Sequence, residues 1–182
     1  MAAEFVAPRH WMDARTADGG FTSNSAADRE FAMWRAFRSI DIANELGCDK
    51  IVLWLAREGT LCAESKSAVE GVKRLIDSIN RMLDYNKNIK VLIEPKPNEP
   101  IDRSFCGTKG HVMAVSMATI DPMRVGGLLK SAHAILAGLE PANEISFGLA
   151  FGKLWGVHLN DQNGMNRTRL LAWKTYARHS TR

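Results

Sequence analysis

Apolar residues recur at two different rhythms along this chain. From Asp28 to Gly47 the positions Phe31, Trp34, Phe37, Ile40, Ile42 and Leu46 return at near-helical spacing, which predicts a helix ending at the glycine. Residues 50–56, KIVLWLA, form instead a short β-branched apolar run, as in a strand covered on both faces. Val69, Val72, Leu75, Ile76, Ile79 and Leu83 repeat every three or four positions and predict a helix over 64–84. Residues 89–93 read as a second strand. The three prolines of EPKPNEP at 94–100 end it, because proline has no amide hydrogen for a ladder. Further helices are predicted at 110–119 and 142–151, and a last strand at 154–159. Residues 123–138 can be read two ways: their composition permits a helix, but Gly126-Gly127 opposes one. Residues 1–27 show no period beyond a turn at Asp18-Gly19-Gly20 and a polar stretch at 22–25 able to cap a helix.

Helices alternating with strands imply an α/β fold around a parallel sheet. At 182 residues, 46% hydrophobic and 24% charged, the chain suits one domain with a core. The net charge of +4 is unevenly spread. Residues 167–182 hold five of the 24 basic side chains and none of the 20 acidic ones, leaving 19 against 20 elsewhere. A body at −1 is no nucleic-acid surface. Cys48, Cys62 and Cys106 are odd in number and widely spaced, as expected of free thiols in the cytoplasm. No apolar run nears the roughly 18 residues of a membrane span, and the first residues lack the pattern of a secretory signal.

In parallel α/β sheets, chemistry collects at the carboxyl ends of the strands. Those places here carry Trp54, Arg57 and Glu58, then Glu94, Lys96, Asn98 and Glu99, then Lys130 and His133, then His158, Asn160 and Asp161. A carboxylate, two imidazoles and an ammonium at successive strand ends suit a divalent-metal site with a polarising lysine. Oxygen ligands favour Mg²⁺ or Mn²⁺, and imidazole shifts the preference toward Mn²⁺, Co²⁺ or Zn²⁺. Each residue also has an ordinary explanation: a solvated loop carboxylate, a surface lysine, a hydrogen-bonded core histidine, a core tryptophan.

EPKPNEP resembles a central-strand motif of the xylose isomerase and L-rhamnose isomerase group of aldose–ketose isomerases. DGGFTSN at 18–24, IDIANELG at 40–47, REG at 57–59, GTKGH at 107–111 and GKLWGVHLN at 152–160 resemble the same group in order, over residues 11–166. The resemblance implies a (β/α)₈ TIM barrel with divalent metal, acting on a small sugar. It further implies that Glu94, His133 and His158 are metal ligands, that Lys96 polarises a sugar oxygen, and that Trp54 walls the sugar pocket. A histidine at 158, where xylose isomerases place an aspartate, favours the rhamnose isomerase branch.

Two departures stand out. The carboxylate expected three residues before His133 is Lys130, and the paired aspartates expected after the Asn163-Gly164 turn are missing from the basic segment 167–182. A whole barrel takes about 250 residues. The expectation is therefore a partial barrel of about four βα units, a metal-dependent sugar isomerase of impaired activity, with segment 167–182 frame-shifted or unrelated. The alternatives are a remnant or subunit fragment without catalysis, or another metal-dependent barrel such as a sugar epimerase or an endonuclease-like phosphodiesterase. Four open strands would also leave an inner apolar face in water, so self-association is expected.

Overall fold

The computed structural model describes residues 3–162; segment 167–182 and the Asn163-Gly164 turn lie outside them. In chain order the described elements are α1 (Ala26–Glu45), β1 (Lys50–Trp54), β2 (Gly59–Thr60), α2 (Ala68–Tyr85), β3 (Lys90–Glu94), β4 (Arg103–Ser104), α3 (Lys109–Met117), β5 (Val125–Lys130), α4 (Ser131–Leu136), α5 (Pro141–Ala150) and β6 (Leu154–His158). β1, β3, β5 and β6 form one parallel sheet in that order, and β2 pairs with β4 antiparallel. Parallel neighbours in sequence order with helices between them make this a partial (β/α)₈ barrel. None of the described helices is long and apolar enough to cross a membrane.

The helices begin where side-chain oxygens can accept the first free amides. Ser25 accepts from Asp28, Ser67 from Glu70 and Thr108 from His111. The Ser67 cap moves the start of α2 from the expected 64 to 68. Lys66, just before it, has extended backbone after a 3₁₀ turn at Ala63–Ser65, and its side chain is buried against Asp18 and the Gly59 carbonyl. The ambiguous stretch 123–138 divides into β5 and α4. Gly126 and Gly127 belong to the strand because side chains press on both faces. A Cβ at Gly126 would lie 2.2 Å from the Trp155 ring, and one at Gly127 2.4 Å from Lys109 Nζ.

The α1 core face also departs from expectation. Ala32, Met33, Ala36, Ser39, Ile40 and Ala43 are buried, whereas Trp34 and Leu46 are each 57% exposed. Small residues let α1 lie close on β1 and α2, and the large ones stay on the rim, where Trp34 stacks on Phe31. The main core joins Phe21, Met33, Ile40, Ile51, Leu53, Leu75, Ile79, Met82, Leu83, Val91, Ile93 and Val125 between helices and sheet. Each such side chain contributes about 1.5–3 kcal/mol by leaving water.

The inner face was expected to meet water; at β6 Val157 and Leu159 do, 40% and 76% exposed, but over β1, β3 and β5 it is covered. Val52, Leu92 and Leu128 are buried, with Phe5 and Trp155 packed against them. Phe5 arrives there because Val6 bridges Ile51 in parallel, donating to the Lys50 carbonyl and accepting from the Val52 amide. The sheet curls enough for the Phe5 and His158 rings to approach within 5.8 Å.

Two buried groups generate tests. The Glu58 carboxylate accepts the amides of Gly20, Phe21 and Thr22 and the Thr22 hydroxyl at 2.7–3.1 Å. Glu58→Gln replaces one acceptor oxygen by a donor facing donors. It should cost about 2–4 kcal/mol in urea unfolding, and a loss under about 0.5 kcal/mol would show that the loop is held by something else. Lys109 is fully buried, and its Nζ has no hydrogen-bond partner among the described residues. Burial pushes its ammonium down to about 8, with Glu144 and Cys106 opposing. The cost of burying that charge is full below pH 8 and fades as pH rises toward the unfolded value of 10.5. Lys109→Met should thus be more stable by about 1–3 kcal/mol at pH 7, with the gap closing by pH 10. Melting curves at both pH values decide it; a gap that widens with pH contradicts the burial argument.

Candidate functional site

Four strand ends point the same way. Trp54, Glu94, Lys130 and His158 are the last residues of β1, β3, β5 and β6. Register places Trp54 beside Glu94 and Lys130 beside His158. Parallel pairing therefore brings these side chains to one mouth of the sheet without any loop to guide them.

His133 enters from α4, one turn beyond β5. Its Nδ1 lies 2.9 Å from the Pro95 carbonyl, which can only accept, so Nδ1 carries the proton and Nε2 presents a bare lone pair. That Nε2 is buried with no hydrogen-bond partner among the described residues. Burial, then the ammoniums of Lys96 and Lys130, push the imidazole down to about 3. It is neutral at physiological pH, so its 3.5 Å approach to Glu94 Oε1 is not an ion pair. Asn160 fixes the start of α4. Its Oδ1 accepts from the Ala132 amide, and its main chain exchanges hydrogen bonds with the Ser131 hydroxyl.

Glu94 is 7% exposed. Burial raises its pKa, opposed by the charges of Lys130, His158 and Lys96. The nearest cation is Lys130, whose Nζ is 3.8 Å from Glu94 Oε1. Lys96 is still less exposed, and its Nζ donates to Glu99 at 2.9 Å. Burial lowers the Lys96 pKa and the Glu99 bond opposes that. The same ammonium stands 5.5 Å from the Trp54 ring centroid. Trp54 stacks near-parallel to His133 at 6.4 Å and takes the edge of Trp11 at 4.2 Å. Beside the Lys96–Glu99 pair the surface opens into a depression lined by Asn98, Glu99, Pro100 and Asp102, which none of Trp54, Glu94, Lys96 and His133 lines.

Trp54, Glu94, Lys96 and His133 are thus drawn together, with His158 close enough to act on the Glu94 charge. Sequence reading missed Trp11 and Phe5, which stand in the unperiodic stretch 1–27 and carry no local signal. A carboxylate, a preset imidazole and a nearby second imidazole suit a divalent cation, but Lys130 does not. Its ammonium stands against the carboxylate, and among the described residues no three His, Cys, Asp or Glu side chains come together to hold a metal. The donor set as it stands does not fit the cation that the ligand chemistry first suggested.

Comparison with known proteins follows the same lines. Residues 9–180 match the sequence profile of a family described as the xylose isomerase-like TIM barrel. Among solved structures, a D-tagatose 3-epimerase-like protein superposes with a TM-score of 0.67 at 19% identity, over 80% of this chain and 53% of its own. The 3-keto-D-glucoside 4-epimerase from E. coli gives 0.63 at 16% identity, over 90% and 62% respectively. A Thermus thermophilus protein soaked with ZnCl₂ gives 0.58 at 20% identity, over 81% and 55%. The chain spans roughly half to three fifths of the length of these structures.

Proposed function

The chain belongs to the xylose isomerase-like TIM barrel family, and from that premise we propose that its cleft binds a small sugar of the kind handled by sugar isomerases and epimerases. We infer further that the cleft is L-rhamnose isomerase-like and turns such a sugar over slowly or not at all. The convergence of Trp54, Glu94, Lys96 and His133 at one mouth of the parallel sheet carries this reading.

Each side chain has a task toward a sugar. Trp54, backed by Trp11, offers a flat apolar wall to the C–H face of the ring. Lys96 brings a buried ammonium that can donate to a sugar oxygen and draw charge onto it. Glu94 and the bare Nε2 of His133 can each accept from a hydroxyl. Moving hydrogen between adjacent carbons also needs a second oxygen held as charge develops. Among the described residues Lys130 stands at that place, its Nζ 3.8 Å from Glu94 Oε1, and it is engaged with the carboxylate. A divalent cation, Mn²⁺ by its mix of imidazole and carboxylate ligands, belongs to the family resemblance, and no step here passes through it. The second reading, a sugar-binding remnant without catalysis, is favoured by Lys130 at the carboxylate. Free thiols at Cys48, Cys62 and Cys106 suit a cytoplasmic setting.

Calorimetric titration with L-rhamnose and D-xylose tests the cleft. Binding should weaken about 3–10-fold in Trp54→Ala and by a similar factor in Lys96→Met. Turnover should stay far below the ~10 s⁻¹ of an ordinary enzyme. Sugar binding indifferent to both substitutions, or turnover near that rate, would refute the reading.

Self-association is proposed at the outer edge of β6. It has no strand partner among the described residues, and Leu159 beyond it is 76% exposed. Open edges pair with other chains. Sedimentation should show a dimer or larger species, and a compact monomer with a sharp melt would count against the edge.

A further inference from the structure

We propose that Lys130 is a built-in cation: its ammonium fills the place of a divalent metal in this cleft and makes the site refuse Mn²⁺ and Zn²⁺. The inference deepens the sugar-site reading and rests on it for the identity of the pocket.

Strand order supplies the first argument. β5, which ends in Lys130, lies between β3, which ends in Glu94, and β6, which ends in His158. A cation shared by Glu94, His133 and His158 would have to sit over the end of β5. The Lys130 backbone occupies that end, register-paired with His158, and its Nζ reaches to 3.8 Å from Glu94 Oε1.

The second argument concerns what is already set for a metal and what is not. His133 has its Nδ1 proton tied to the Pro95 carbonyl and its Nε2 bare, the arrangement in which an imidazole ligates. Glu94 Oε1 lies beside the same ring, 3.5 Å from its protonated Nδ1, so carboxylate and Nε2 do not already face one another. Both are almost fully buried, so little water screens charges there. A metal at the usual ~2.0–2.2 Å from carboxylate and imidazole would stand within a few ångströms of the ammonium. Two positive charges so close in a dry site repel strongly. Lys130 thus supplies the wrong charge and stands where the family resemblance expects a ligand. The Glu94 negative charge is neutralised internally, and the cleft keeps a fixed ammonium with which to meet a sugar oxygen.

The test is Mn²⁺ and Zn²⁺ binding to the purified full chain, stripped with chelator, read by the free-Mn²⁺ paramagnetic resonance signal and by Zn²⁺ calorimetry. The variants are Lys130→Glu, Lys130→Met and Lys130→Glu/His133→Gln, with circular dichroism to check folding. The expected result is that the wild-type chain binds no equivalent of either metal at sub-millimolar Kd. Lys130→Glu should bind one equivalent of Mn²⁺ at least about 100-fold tighter, and the double variant should lose that gain. Lys130→Met removes the charge without adding a ligand and should tighten binding by a smaller factor. It carries the test alone if the glutamate variant does not fold. A wild-type chain that binds one equivalent at sub-millimolar Kd through His133 would overturn the proposal, because the ammonium would then have swung aside. So would folded Lys130 variants that bind no better than wild type. Sugar titration of the same samples is independent: loss of sugar binding with the metal pattern intact condemns the sugar reading and leaves Lys130 as the internal cation.

Discussion

One buried carboxylate holds the first quarter of the chain to the sheet. Glu58 follows β1 and accepts three consecutive backbone amides and a hydroxyl from the turn at 20–22. Amides that converge on one anion are satisfied all at once, and burial makes each bond costly to lose. The close fit leaves no slack: a Cβ at Gly20 would come within 3.0 Å of Glu58 Oε1, and one at Gly19 within 3.0 Å of the Arg57 carbonyl. With the turn pinned, His10 donates from Nε2 to the Ala32 carbonyl, and Arg57 Nε donates to the Trp11 carbonyl. Trp11 then meets Trp54, and the leading strand residue Val6 lies along β1. The Trp11–Trp54 contact and the cover over the inner face therefore follow from the residue that pins this turn.

The carboxyl end of the sheet is a balance of charges in a dry place. Glu94 and Lys96 are both buried, and each is partnered by an opposite charge from elsewhere: Lys130 for the carboxylate, Glu99 for the ammonium. Burial alone would push both toward neutrality, and these pairs resist it. The neutral His133 between them contributes a lone pair rather than a charge. Such a set can recognise hydroxyl groups, which both donate and accept. It is poorly suited to gathering the negative charge that a divalent ion demands. Solved structures described as sugar epimerases share this fold at 16–19% identity, and in this chain the end of β5 carries the charge of Lys130.

Much of this was legible along the chain. The period of α2, the apolar runs of β1 and β3 and the proline stop at 94–100 each follow from local chemistry. Together they give a parallel sheet whose strand ends carry Trp54, Glu94, Lys96 and His158. The EPKPNEP stretch pointed to the family, and Lys130 was visible as a departure because its neighbour His133 fixed where a carboxylate should stand. What tertiary structure decided was everything set by contact between distant segments. Gly126-Gly127 looks like a helix breaker until Trp155 and Lys109 are seen pressing on its two faces. The core face of α1 looks aromatic until its alanines are seen against the sheet. The inner face over β1, β3 and β5 looks exposed until Phe5 arrives from a stretch with no period of its own. Period and composition report what one element prefers alone. Burial, close approach and the partner of a charge belong to pairs of elements, and residues such as Lys130 and Glu94, 36 positions apart, acquire their chemistry only when parallel strands set them side by side.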